Sequence, residues 1–195
     1  MKGIVLCGGQ SLRMGKDKGL LIGSRKITWA QQAFSLLSKL DIEVALSINP
    51  HQYQPYKRVF FFDTLIPDKK GLSVKGPLTG LLSAHSVYLK DDLIVLACDM
   101  IEMRLEVIMK LYQAYKQHPG FDAYVFKDKG VIEPLCAIYS AGGLQLLADR
   151  VKNKQLEKFS MMYALDQLKV CYLPIEVEDK KAFLNMNTVS DLMNV

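Results

Sequence analysis

The sequence predicts an α/β domain with a mainly parallel mixed sheet flanked by helices, and three observations carry that expectation. Short apolar and β-branched runs alternate with segments of helical periodicity, the connections are short, and a glycine-rich turn directly follows the first run. Residues 2–7 are apolar without polar alternation, as in a parallel strand covered on both faces, and the run ends at Gly8 and Gly9. Thr28 is then a helix cap, with Trp29, Ala33, Leu36, Leu37 and Leu40 recurring at helical spacing. Residues 43–48 and 59–62 read as the next strands, and Gly76-Pro77 opens a helix over 78–89. Residues 92–98 form the most apolar strand and stop at Asp99, after which Leu105, Ile108, Met109, Leu111 and Tyr112 mark another helix. In such a βαββαβα order, ligands collect outside the carboxyl ends of the strands, which points at residues 8–18 and at Asp99.

The second half is less regular. Residues 123–127 and 131–139 read as an antiparallel pair around Asp128-Lys129-Gly130, with Asp128 a turn residue. Helices over 142–151 and 161–168, a strand over 169–174 and a last helix from the cap Thr188 complete the chain, placing these elements at one edge of the sheet. No repeat, low-complexity tract or Gly/Ser-rich linker interrupts the pattern, so residues 1–195 read as one domain.

Composition narrows the function classes. Half of the 195 residues are hydrophobic and 23% are charged, the balance of a globular protein rather than of a disordered chain. No apolar stretch approaches the roughly 20 residues of a membrane span. The net charge of +5 comes from 25 basic residues interleaved with 20 acids, which suits a small polyanion and gives no argument for nucleic acid. Cys7, Cys98, Cys136 and Cys171 form no CxxC pair and read as reduced thiols packed as small hydrophobes, so a cytoplasmic protein is expected. His51, His85 and His118 lack zinc-ligand spacing.

The turn over residues 6–19 holds four glycines with Arg13 and Lys18 at a strand end. Glycines let backbone N–H groups approach a ligand and form an anion-binding concavity. Arg13 can grip phosphate oxygens with its planar fork, and Lys18 supplies a compact charge able to follow a moving phosphoryl group. Neither GxxxxGK[ST] nor GxGxxG is met, which excludes a Walker A loop and a plain dinucleotide fingerprint. Asp17 reads as a local ion pair that holds the loop. Asp99, delivered by a buried strand, is either a hard oxygen ligand for magnesium or the N-cap of the following helix.

The stretch LCGGQSLRMGKDKG resembles the nucleotide-loop signature LAGGxSxRMGxDK of molybdenum cofactor guanylyltransferases, the MobA-like family. KGPLTGL over residues 75–81 resembles the family's GPLAGL, LACDM over 96–100 its metal-binding CDMP, and NMNT over 185–188 its NxNT. The resemblance implies a Rossmann-like nucleotidyltransferase fold that joins GMP from Mg-GTP to the phosphate of molybdopterin, releasing pyrophosphate. It implies that Leu6, Cys7, Gly8, Gly9 and Ser11 meet the nucleotide, that Lys18 binds its phosphates, and that Asp99 holds Mg²⁺. Asp68 would be the acidic nucleotide contact, with Asp63 as its substitute, and Gly76 and Pro77 would face the acceptor. Asn185 and Asn187 either orient the pterin or cap the last helix. GTP and molybdopterin are then the small-molecule partners, with transient contact to the proteins that make or accept the cofactor, and neither nucleic acid nor membrane is involved.

Two departures from the family pattern stand out. Ser47 and Asn49 occupy an NxN segment whose first Asn is a nucleotide contact, and Ile101 replaces the usual proline. Ser47 keeps open a same-fold enzyme that moves CMP to molybdopterin or a nucleotide to a sugar or polyol phosphate. A nucleotide-binding protein without turnover is the rival of a different class. No base is demanded by the chemistry, because a phosphate nucleophile is already ionised at neutral pH.

Overall fold

The computed structural model describes residues 1–8, 17–23 and 25–184. Its sheet has seven strands: β1 (Lys2–Leu6), β2 (Val44–Ile48), β3 (Leu65–Pro67), β4 (Leu93–Ala97), β5 (Ala123–Asp128), β6 (Val131–Tyr139) and β7 (Val170–Pro174), in the order β3-β2-β1-β4-β6-β5-β7. Strands β1 to β4 are mutually parallel where they pair, β6 runs antiparallel to β4 and β5, and β7 is parallel to β5. The order reverses direction at β1, which lies between β2 and β4, so the carboxyl end of β1 opens into the crevice where ligands of open α/β sheets bind.

Both faces of the sheet are covered, which explains the absence of polar alternation. Val5 and Cys7 point into a layer built with α1 (Trp29–Ser38) and α4 (Leu105–Gln117). Ile4 and Leu6 point into the opposite layer, built with α3 (Pro77–Val87), α5 (Ala141–Lys152) and α6 (Met161–Leu165). Helix α1 starts as its sequence predicts: Thr28 Oγ1 accepts from Gln31 N at 3.1 Å while Gln31 Oε1 accepts from Thr28 N at 2.9 Å. Its buried stripe is Trp29, Ala30, Ala33 and Leu37, and truncating the fully buried Leu37 to Ala would cost about 3 kcal/mol.

One expected strand is misplaced. Residues 59–62 are not extended: Val59 N and Phe60 N donate to Tyr56 O, both at 2.9 Å, and close a turn behind the short α2 (Tyr53–Tyr56). Phe60 stacks on Tyr56, while Phe61 and Phe62 are exposed. The aromatic run has strand propensity, but the buried Tyr56 commits its backbone to that turn. The strand falls on Leu65–Pro67, whose aliphatic side chains match the β2 register. The other expected elements lie within a few residues of their predicted bounds, and the last helix from Thr188 lies outside the described residues. No helix among the described residues is long and apolar enough to cross a membrane, and Cys7, Cys98, Cys136 and Cys171 are unpaired.

Candidate functional site

The carboxyl ends of β1, β2 and β3 and the start of α3 surround a cavity of about 660 Å³. Leu6, Gly8, Ser47, Asn49, Asp68, Gly76 and Pro77 all line it, so the structure gathers seven of the residues singled out in the sequence. Lys75, Thr79 and Gly80 also line it, and none of these three was singled out. Parallel pairing produces this convergence: Leu6 lies opposite Ser47 and Ala97, and Ser47 opposite Ile66, so all these strands end at one level. Helix α3 aims its N-terminus at the same space, with Pro77 in its first turn, and so adds the positive end of a helix dipole.

Asp68 follows β3 directly, and its N–H donates to Ile48 O at 2.8 Å. Its carboxylate is half-buried, Oδ1 has no hydrogen-bond partner in the protein, and burial raises its pKa above the ordinary carboxylate value. Asp63, the other acidic candidate, is exposed in the turn before β3 and does not line the cavity. Ser47 is fully buried, with Oγ also unpartnered; a side chain at Gly80 would run into that oxygen, so the first turn of α3 packs onto β2 only because residue 80 has no Cβ.

Lys18 and Asp99 meet across the end of the sheet, with Nζ to Oδ2 at 3.1 Å and both side chains about one-fifth exposed. Asp99 is not the cap of α4, whose N-cap is Arg104. It sits in the turn after β4, and Gln32 Nε2 donates to Ile101 O there at 2.5 Å, so the segment is tethered to α1 without the family's proline. Among the described residues no three His, Cys, Asp or Glu side chains cluster as a metal cage. Neither Lys18 nor Asp99 lines the cavity; a single partly exposed carboxylate such as Asp99 is nevertheless a donor that suits Mg²⁺, which keeps waters and takes most other ligands from substrate phosphates.

Asp17, expected to form a local ion pair, takes three neutral donors. Oδ1 accepts from Gly19 N at 3.0 Å and Tyr56 OH at 3.1 Å, and Oδ2 accepts from Gln52 Nε2 at 2.7 Å. Tyr56 is buried, and its phenol is held far above its usual pKa by burial and by Cys7, Cys98 and Asp17 nearby. The Cys98 thiol is likewise raised, by its hydrogen bond with Cys7 and by burial. Gln52 and Tyr56 were not singled out in the sequence. The signal for Gln52 was present as Asn49-Pro50-His51-Gln52, an Asn cap followed by Pro and, at the third helical position, Gln. Gly9, Ser11, Arg13, Asn185 and Asn187 lie outside the described residues.

The profile of the MobA-like NTP transferase domain family matches residues 3–167. A molybdenum cofactor biosynthesis bifunctional protein from Synechocystis is 36% identical over 146 residues, covering 74% of this chain and 40% of that protein. The chain thus spans less than half of the Synechocystis protein's length. A molybdenum cofactor guanylyltransferase from Campylobacter jejuni is 27% identical over 188 residues, covering 94% of this chain and 89% of the relative. Among solved structures, the molybdopterin-guanine dinucleotide biosynthesis protein A of Archaeoglobus fulgidus superposes with a TM-score of 0.77 at 23% identity, covering 100% of this chain and 96% of that one. The bifunctional IspDF of Campylobacter jejuni gives 0.73 at 14% identity, covering 100% of this chain and 54% of that one. The two likenesses establish a shared fold.

Proposed function

The chain belongs to the MobA-like NTP transferase family, and from that premise we propose that it transfers GMP from GTP to the phosphate of molybdopterin, releasing pyrophosphate. The observation that carries the choice of base is Asp68, whose buried Oδ1 lacks a protein partner beside the cavity. Guanine presents two adjacent donors, N1–H and the exocyclic amine, and an ionised carboxylate accepts both. Cytosine offers one amine beside the N3 lone pair, which would face the carboxylate unfavourably. The likeness to guanylyltransferases along nearly the whole chain supports the same choice.

In the reaction an oxygen of the molybdopterin phosphate forms a bond to the α-phosphorus, the bond from that phosphorus to the bridging oxygen breaks, and pyrophosphate leaves with the electron pair. The protein's task is to hold two polyanions in line and to stabilise charge, without a general base. Lys18 would bind the phosphates, joined by Arg13, while Gly8, Gly9 and Ser11 offer backbone groups and the α3 N-terminus offers its dipole. Bound Mg²⁺, held by Asp99, would neutralise charge building on the bridging oxygen. Gly76, Pro77, Asn185 and Asn187 would face the acceptor, with residues 1–195 acting as one domain. Unpaired thiols at Cys7, Cys98, Cys136 and Cys171 support a cytoplasmic setting.

The test is pyrophosphate release from GTP, CTP, ATP and UTP in turn, with Mg²⁺ and molybdopterin and with controls lacking either. Release selective for GTP and dependent on the acceptor is expected. Release with CTP would move the chain to cytidylyl transfer, and nucleotide binding without turnover would favour a non-catalytic role.

A further inference from the structure

We infer that Gln52 is a positioning residue of the nucleotide site, its one side-chain amide fixing the ends of β1 and β2 against the turn that carries Lys18. Oε1 accepts from Asn49 N at 2.7 Å, while Nε2 donates to Cys7 O at 3.0 Å and to Asp17 Oδ2 at 2.7 Å. Both amide hydrogens are used, and each of the three partners lies in or next to a segment that lines the cavity or bears Lys18. Cys7 and Asp17 lie toward the two ends of the glycine-rich stretch 6–19, so Gln52 ties the end of β1 to the segment that bears Lys18.

The other oxygen of Asp17 fixes the direction of that hold. It caps the 3-10 turn Lys18–Leu20 through Gly19 N and takes the Tyr56 hydroxyl. A Cβ on Gly19 would collide with the Tyr56 hydroxyl, so the turn rests directly on that ring. Gln52 and Tyr56 both belong to the short helical stretch after β2, which therefore serves as the seat for Lys18. Ordering a flexible segment on binding costs entropy, and a side chain that already ties these segments together lowers that cost. Gln52 touches no reacting atom and acts through Lys18.

The inference rests on the site being a nucleotide site, as the proposed function has it, and the test separates the two. Gln52→Glu keeps the shape of the side chain but sets a carboxylate against the Asp17 carboxylate and the Cys7 carbonyl. Among the described residues the other titratable or charged groups around this pair are Tyr56, Cys7, Cys98 and the Lys18–Asp99 ion pair; the Tyr56 phenol and the Cys98 thiol are raised, and the carboxylate that meets the new charge directly is Asp17. Two adjacent carboxylates take up a shared proton as pH falls, which restores a donor to Asp17. Gln52→Met removes both donors and cannot recover.

The dissociation constant of Mg-GTP is measured by calorimetry for wild type and both variants at about pH 8 and about pH 5.5, with the melting temperature at each pH. Relative to wild type at the same pH, Gln52→Glu should bind about tenfold more weakly at the higher pH and within about threefold at the lower. Gln52→Met should be weakened by a similar factor at both. Affinities equal to wild type, or a loss in Gln52→Glu that acidification leaves unchanged, would overturn the inference. Binding with the expected pattern but without guanylyl transfer would sink the proposed function and leave the clamp standing, whereas a wild type that binds no nucleotide would remove both.

Discussion

The carboxyl end of the parallel strands and the edge built from α4, β5 and β7 treat their carboxylates in opposite ways. At the edge Asp179 is saturated, and so is the partly buried Asp92 ahead of β4. Asp179, 3% exposed, takes Arg104 at 2.6 Å and Lys110 at 2.5 Å and pins the 3-10 segment Val177–Phe183 to α4. Asp92 accepts Tyr115 OH at 2.5 Å and Ala141 N at 2.8 Å, and so fixes the start of α5. Around the cavity, by contrast, Asp68 Oδ1 and Ser47 Oγ have no partner. A buried polar group with its partners in place contributes to stability, whereas one left open costs stability until a ligand supplies the bond. Asp17 is the instructive intermediate: it lies at the site but is saturated, and its work there is support.

That contrast can be broken at several points. The largest effect is expected at Lys18 and Asp99: Lys18→Ala or Asp99→Ala should lower pyrophosphate release at least about 100-fold with the melting temperature near wild type, and near-normal turnover in either would end the assignment. At the other pole, Asp179→Ala should lower the melting temperature by about 5 °C and leave Mg-GTP affinity unchanged, as calorimetry on the variant can check. Asp68→Asn sharpens the comparison because its two effects have opposite signs. The amide can accept only one of guanine's two donors, so GTP affinity should fall about tenfold and the preference for GTP over ITP should shrink in a competition assay.

The smallest effect is on the stability of the same variant. Burial raises the Asp68 pKa in the folded chain, so the folded state holds that proton more tightly than the unfolded one. Its contribution is therefore fully present below the ordinary carboxylate value and is lost as pH rises through the raised one. Asp68→Asn removes that loss and should melt slightly higher than wild type at neutral pH, with no advantage in acid. Wild-type GTP affinity should fall as acid protonates Asp68. A variant that melts lower at neutral pH would show that Asp68 is structurally paired after all.

The parallel half of the fold was legible because buried strands such as Leu93–Ala97 leave unbroken apolar runs and because Thr28 and Gly76-Pro77 announce their helices. The failure at residues 59–62 came from tertiary context, since nothing local shows that Tyr56 is buried and turns the following backbone. At the site, strand-end logic pointed at Gly8 through its position, while Ser47, Asn49 and Asp68 were found only through the family resemblance. It missed Gln52 and Tyr56, because bonds between residues 35 and 39 apart in sequence leave no local periodicity. Nor could it separate Asp68 from Asp63, which differ by which side of a three-residue strand they occupy.

The most direct test of guanylyl transfer is a single turnover with GTP labelled at the α-phosphorus, Mg²⁺ and molybdopterin. The account predicts that the label moves to the molybdopterin product while the pyrophosphate released is unlabelled. Label retained in GDP, with inorganic phosphate released, would mean cleavage at the γ-phosphorus and would contradict it.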